Sequence, residues 1–286
     1  MKVIAVIGSG TMGNGIAQVA AQAGWSVALC DANPEALQKA LGTIKKSLER
    51  LAEKGKLAEA PPTIWDRIRT TAAIETAVGN ADLVVEAVPE SIDLKRRIFE
   101  AIDGAAPAHA VLASNTSSLS IASIAEAVSR RDRVVGMHFF NPVPVMALLE
   151  VVRAKETSEE TVAFAVATGL AMGKEPIVVR DMPGFATSRL GVLLGLEAMR
   201  MLEQGVANAS DIDKAMTLGY RHPMGPLQLT DLVGLDVRLA IAEHLHRELA
   251  SEAFRPPEIL RRMVAEGKLG KKSGRGFYTW EGDKAS

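Results

Sequence analysis

Cysteine is almost missing from this chain: of its 286 residues only Cys30 carries a thiol. One thiol excludes an internal disulfide and any cysteine-based zinc cluster, and no metal site is expected. An excess of one charge is missing too. Lys and Arg number 33 against 34 Asp and Glu, and no basic run stands out. That balance argues against a nucleic-acid or anionic-membrane partner. Long hydrophobic runs are also lacking. No stretch approaches the ~18 uninterrupted apolar residues of a membrane span, and the richest, Leu190 to Met201, is broken by Glu197 and Arg200. The chain opens directly as a strand, MKVIAVIG, with no apolar leader before a cleavage site, so the expectation is a soluble cytoplasmic protein. What is present suffices for a sizeable core, since 48% of the residues are apolar. The length allows one large or two medium domains.

Glycine appears where backbone geometry needs it. Lys2 to Ile7 is a short apolar run rich in β-branched residues, the pattern of a buried parallel strand. It leads into Gly8-Ser9-Gly10-Thr11-Met12-Gly13 and then an Ala-rich helical stretch, Ile16 to Ala23. Gly8 suits the tight turn, Gly10 a close approach of backbone to pyrophosphate, and Gly13 close packing of helix on strand. The amides at the helix start, from Thr11 and Met12 onward, would attract the phosphates. A second strand, Ser26 to Cys30, ends in Asp31, 18 residues past Gly13. A carboxylate there takes the ribose hydroxyls and repels a 2′-phosphate, which favours NAD over NADP. The alternative for this stretch is an ordinary glycine-rich turn with a capping Asp.

Strands continue to alternate with helices for about 180 residues, the mark of a doubly wound parallel sheet, extended at one edge by antiparallel strands. Asn33 to Lys54 reads as a long helix with Pro34 near its start. Its charged end, Lys45 to Lys56, is either a solvated face or an arm gripping a phosphorylated handle on a substrate. Further strands are expected at Ile68–Ala72, Asp82–Val88, Val111–Ala113, Arg133–Phe140, Leu148–Val152 and Glu175–Val179. Helices are expected at Glu75–Ala81, Asp93–Ile102 and Glu159–Met172. Ser114-Asn-Thr-Ser-Ser118 follows one strand, where such residues either cap a helix or contact a ligand.

The boundary falls at Asp181-Met-Pro-Gly184, giving domains 1–182 and 183–286. Beyond it the period is helical, over Phe185–Gln204, Ser210–Leu218, Pro226–Leu249 and Pro257–Ala265. Ser210 is the expected N-cap of the second of these, with Asp211 and Asp213 in its first turn. The first has more apolar residues than one face needs, which suits burial against a partner subunit. The tail from Lys268 to Trp280 is either a loose terminus or a basic segment returning to the cofactor.

His138 ends one apolar run and Glu150 lies in the next, twelve positions on, with Pro142 and Pro144 between. An imidazole at a strand end with a carboxylate returning beside it can serve as a general base and its orienting partner. A hydrogen-bonded core histidine is the other reading.

Together these features resemble the 3-hydroxyacyl-CoA dehydrogenase family, in its short bacterial 3-hydroxybutyryl-CoA dehydrogenase branch. The resemblance covers essentially the whole chain. It is most specific at Ser114–Ser118, His138-Phe-Phe-Asn-Pro142, Leu149-Glu-Val151, Pro183-Gly-Phe185, Gly225-Pro226 and Gly274-Arg-Gly-Phe-Tyr278. It implies a Rossmann-like domain followed by an all-α domain that dimerises. It also implies NAD-dependent interconversion of (S)-3-hydroxyacyl-CoA and 3-ketoacyl-CoA. By resemblance His138 is the general base, Glu150 its orienter, and Ser117 a contact to the substrate oxygen and the cofactor. Asn141 places the nicotinamide, Glu90, Lys95 and Lys272 lie near the cofactor, and Ser47 and Lys54 contact CoA. A helical pair around Leu48 to Trp65 would cover the CoA arm.

One departure stands out. Where the family carries Asn-Arg after Pro-Gly-Phe, this chain has Ser188-Arg189. Either Ser188 takes the catalytic role of that Asn through a water, or the acyl group differs. The alternatives kept open are therefore a dicarboxylic 3-hydroxyacyl-CoA, a free sugar acid, and a non-catalytic NAD-binding protein. A 3-hydroxyacid dehydrogenase of the 6-phosphogluconate type would need a helical lysine as acid/base, and no matching lysine motif follows the boundary.

Overall fold

The computed structural model describes residues 2–286, and the chain divides into two compact units, Met1–Met182 and Pro183–Ser286. The first unit is an eight-stranded sheet flanked by helices. Its elements run β1 (Val3–Ile7), α1 (Thr11–Gln22), β2 (Ser26–Cys30), α2 (Pro34–Glu53), α3 (Pro61–Trp65), β3 (Ile68–Thr71), α4 (Ile74–Val78), β4 (Leu83–Glu86), α5 (Ile92–Ala105), β5 (Val111–Ser114), α6 (Ile121–Ala125), β6 (Val134–Phe139), β7 (Leu148–Arg153), α7 (Glu159–Ala171) and β8 (Glu175–Arg180). The strand order is β3-β2-β1-β4-β5-β6-β7-β8. All neighbours are parallel except β6 and β7. Chain direction across the sheet reverses between β1 and β4, which opens a crevice at their carboxyl ends.

The central strands are apolar because both faces are covered: β4 and β6 are buried at every residue. Ile4, Val6, Ile16, Leu29, Leu83, Met137 and Leu149 belong to one continuous core. Cys30 is buried at the end of β2. Burial, with the nearby Asp31 and Glu75 carboxylates, pushes its thiol up from an ordinary value near 9 to about 11. The native protein is therefore expected to react with a disulfide reagent at pH 8 about 100-fold or more slowly than the guanidinium-unfolded chain, since only thiolate attacks. The sign follows from the raised value. The thiol's contribution to stability is present below pH ~9 and is lost as pH rises through about 11.

The second unit holds α8 (Thr187–Glu203), α9 (Ala209–Gly219), α10 (Pro226–Val233), α11 (Leu235–Leu249) and α12 (Glu258–Ala265), and ends in a small hairpin of β9 (Trp280–Glu281) and β10 (Lys284–Ala285). Val192, Leu196, Met199, Leu227, Leu245 and Leu260 lie in its core. The structure corrects three sequence expectations. The helix expected over Pro226–Leu249 is two helices, broken at Gly234, whose φ of +106° lies where side chains are strained. The cap of α9 is Asn208 rather than Ser210, with its side chain accepting the Asp211 amide at 2.9 Å. Asp213 leaves the helix dipole to Asp211 and turns inward, accepting the Leu227 and Gln228 amides at the start of α10, both at 2.8 Å. The tail is firmly held: Asp231 accepts the amides of Phe277 and Tyr278, each at 2.9 Å, and the Trp280 indole at 2.8 Å. Among the described residues no helix is long and apolar enough to cross a membrane.

Candidate active site

The crevice beside β1 is lined by the glycine turn. Gly8 has a φ of +99°, and a Cβ there would stand 2.7 Å from the Ala87 carbonyl oxygen at the end of β4. A Cβ on Gly13 would stand 1.8 Å from the Gly8 oxygen, so the helix can lie this close to the turn only without a side chain. Gly10 faces open space. It caps α1 without any side-chain bond, and no acidic residue lies in the first turn, which carries Thr11 and Met12. The helix start is thus a set of backbone donors at the positive end of a dipole, the chemistry that a pyrophosphate needs.

Asp31, at the carboxyl end of β2, flanks the same turn. Its Oδ2 accepts the Ser9 amide and hydroxyl, both at 2.8 Å, and its Oδ1 accepts the Asn33 amide at 2.9 Å. Burial alone would raise this carboxyl. The Asn33 and Ser9 donors outweigh it and hold the group below the usual carboxylate range, so it stays charged. An open glycine cradle with a fixed anion at the ribose position fits NAD, and the anion disfavours a 2′-phosphate.

The hairpin of β6 and β7 brings the second set of groups together. His138 and Glu150 are direct partners in the antiparallel register, so the pleat turns both side chains to one face. Their Nδ1–Oε2 distance is 2.7 Å, and both residues are buried. A carboxylate accepting from Nδ1–H fixes that tautomer of the neutral ring and leaves the basic lone pair on Nε2. The Phe140 ring packs against the imidazole, with centroids 4.5 Å apart. The strand end is braced by Asn115, whose side-chain oxygen accepts the Phe139 amide at 2.9 Å. Behind the hairpin loop the buried Lys174 ammonium donates to the carbonyls of Val143 and, at 2.9 Å, Met146, fixing the segment that follows Asn141.

The polar turn after β5 caps no helix; Ser120 does that for α6. Glu90 gathers the turn instead. Its Oε1 accepts the Thr116 hydroxyl at 2.5 Å and the amides of Ser117 and Ser118 at 3.1 and 3.3 Å, with the Ser117 hydroxyl 3.4 Å away. Lys95 is only 1% exposed, and its ammonium contacts Glu86 at 2.7 Å and Glu90 at 3.4 Å. Sequence reasoning passed over Glu86. In Leu83-Val-Val-Glu86 it reads as one more strand residue, and a carboxylate inside an apolar strand with a lysine nine residues on was the available signal.

The remaining expected residues lie as follows. Asn141 is exposed after β6. Ser47 and Lys54 lie seven apart along α2 and its C-cap, hence on one side of the helix. A groove of about 450 Å³ runs between α2 and α3 on a different side of α2, lined by Lys45, Leu48, Glu49, Pro61, Pro62 and Trp65, and neither Ser47 nor Lys54 lines it. Ser188 is half-buried in the first turn of α8. Lys272, in the second unit, is paired with Asp236 at 2.6 Å. Among the described residues no cluster of His, Cys, Asp or Glu could hold a metal ion.

A dinucleotide cradle and a carboxylate-oriented histidine in one unit define a nicotinamide-dependent dehydrogenase. Comparison with known proteins gives the particular kind. Residues 3–182 match the NAD-binding domain, and residues 184–280 the C-terminal domain, of 3-hydroxyacyl-CoA dehydrogenase. The chain belongs to the 3-hydroxyacyl-CoA dehydrogenase family. It is 48% identical over 282 residues to a probable 3-hydroxybutyryl-CoA dehydrogenase of Bacillus subtilis, covering 98% of each chain. It is 44% identical to the human mitochondrial hydroxyacyl-coenzyme A dehydrogenase, over 98% of this chain and 92% of that one. The crystal structure of (S)-3-hydroxybutyryl-CoA dehydrogenase from Ralstonia eutropha superposes with a TM-score of 0.94 at 44% identity, over 98% of this chain and 99% of that one.

Proposed function

We propose that this enzyme interconverts a short-chain (S)-3-hydroxyacyl-CoA, 3-hydroxybutyryl-CoA above all, and its 3-keto product, with NAD as the cofactor. The observation that carries the reading is the 2.7 Å His138–Glu150 pair, built into the same sheet as the glycine cradle. His138 Nε2 takes the proton of the substrate 3-hydroxyl, and Glu150 stabilises the imidazolium that forms. NAD, when bound, supplies the acceptor for the hydride that leaves carbon 3. Ser117 holds the substrate oxygen near His138 and contacts the cofactor. Asn141 sets the nicotinamide face, and Glu90, Lys95 and Lys272 complete the cofactor surroundings. Ser188 offers one hydroxyl where its relatives' family pattern has an amide, which makes it the residue on which acyl preference turns.

Ser47 and Lys54 are assigned to the CoA arm on their match to the family's spacing, seven residues apart on one side of α2. Domain 1–182 is assigned to NAD and the CoA arm, and domain 183–286 to the substrate and dimerisation. Exposed apolar side chains on the second unit, Leu190 and Leu194 on α8 and Val237 on α11, support a homodimer through these helices. The similarity to bacterial 3-hydroxybutyryl-CoA dehydrogenases supports a cytoplasmic setting.

The test is loss of NADH absorbance with acetoacetyl-CoA, run beside free acetoacetate and NADPH. Turnover is expected only with NADH and the thioester. Turnover with the free acid, or no turnover with any thioester despite NADH binding, would overturn the reading in favour of a sugar acid or a non-catalytic role.

A further inference from the structure

Glu86 is a buried carboxylate, 0% exposed, at the end of an otherwise apolar strand. Burying such a charge is costly unless every oxygen is matched. Both are. Oε1 accepts the Lys95 ammonium and the Val88 amide, each at 2.7 Å, and Oε2 accepts the Ser114 hydroxyl at 2.7 Å. From there the contacts converge on one place. Ser114 Oγ accepts the Thr116 amide at 3.3 Å. Lys95 reaches Glu90, and Glu90 accepts from Thr116, Ser117 and Ser118. The Glu86 main-chain oxygen accepts the Asn115 amide at 2.8 Å. Three routes thus run from one residue to the Asn115–Ser118 turn.

We propose that Glu86 is a positioning residue that sets the Thr116–Ser118 turn, and with it Ser117, through Lys95–Glu90 on one side and Ser114 on the other. The functional part rests on the reading of Ser117 as a substrate contact. A carboxamide at position 86 keeps the volume but not the charge. Lys95 then shifts its ion pair toward Glu90, and Glu90 is drawn off the amides that it holds. A buried network acts as a unit in this way because each member is fixed by the next.

Two measurements on the full-length protein separate the structural claim from the functional one. Hydrogen exchange of the Ser114–Leu119 segment is expected to quicken about 10-fold or more in Glu86→Gln, with β1 unchanged. Equal protection of the segment in variant and parent sinks the proposal. Turnover is then compared in Glu86→Gln, Ser117→Ala and the double variant. Glu86→Gln is expected to lower kcat by about 10- to 100-fold, the scale of a misplaced contact. In the Ser117→Ala background the same change is expected to cost less than about 2-fold. Losses that multiply would mean that Glu86 acts elsewhere and would overturn the functional part. Full turnover in Ser117→Ala would instead defeat the reading of Ser117, while exchange still decides whether Glu86 sets the turn. Ser114→Ala breaks one route with a smaller disturbance and takes the same two measurements if Glu86→Gln does not fold.

Discussion

His138→Gln is expected to lower kcat by about 10²- to 10⁴-fold, the range that positioned general-base catalysis contributes. Glutamine nearly fills the space of the imidazole and can still donate toward Glu150 Oε2, the acceptor that His138 Nδ1 meets at 2.7 Å. It cannot take a full proton. NADH affinity is expected to stay within about 3-fold, because the glycine cradle and Asp31 are built from β1, α1 and β2 and do not use this side chain. Glu150→Gln probes the same step from behind. Its amide oxygen can accept from Nδ1, but the neutral group no longer stabilises the imidazolium. A loss on the same order is expected, as for the orienting carboxylate of a catalytic triad. Single-turnover oxidation of bound NADH by acetoacetyl-CoA reads the chemical step, and NADH fluorescence titration reads binding. Full turnover in His138→Gln would remove the proposed base from the mechanism.

The residues that stood out in the sequence are those whose chemistry is tied to a local backbone need. Gly8 and Gly13 lie where a strand must turn into a helix with no room for a Cβ. His138 and Glu150 lie in adjacent apolar runs, and the antiparallel register that pairs them turns both to one face of a hairpin. The groups that did not stand out depend on partners far along the chain. Glu86 has its meaning only through Lys95 and Ser114, on two other elements. Asn208 and Ser210 are equally good caps two residues apart, and composition alone does not choose between them. The break at Gly234 was not legible because a single glycine costs only ~1 kcal/mol in a helix, too little to end the pattern by itself. The tail from Lys268 to Trp280 left open whether it was loose, because its anchor, Asp231, is 46 residues from Phe277.

That anchor carries the largest expected effect on stability. Asp231 is fully buried, and its two oxygens take the Phe277 amide, the Tyr278 amide and the Trp280 indole. The tail wraps it so closely that a Cβ on Gly276 would stand 2.1 Å from Oδ1, and one on Gly270 2.2 Å from the main-chain oxygen. Asp231→Ala leaves three donors without partners in a dry site. At roughly 1–3 kcal/mol for each unmatched group, partly relieved by water entering, a loss of about 3–5 kcal/mol is expected. Asp231→Asn keeps the shape but turns an NH2 toward at least one of the three donors, so an intermediate loss is expected. Burial raises the Asp231 carboxyl above its ordinary value, the hydrogen bonds from Trp280, Tyr278 and Phe277 pull it back in part, and the Asp213 charge adds to the rise. For an acid so raised, the matching contribution to stability is complete below the unfolded value, near pH 4, and is lost as pH climbs through the folded one. The advantage of the parent over Asp231→Asn is therefore expected to be greatest in acid and to narrow toward neutral pH. Urea unfolding at pH 4 and pH 7 reads both quantities from the midpoints. A shift below 1 kcal/mol in Asp231→Ala would mean that the tail is held by its apolar contacts and that Asp231 is dispensable.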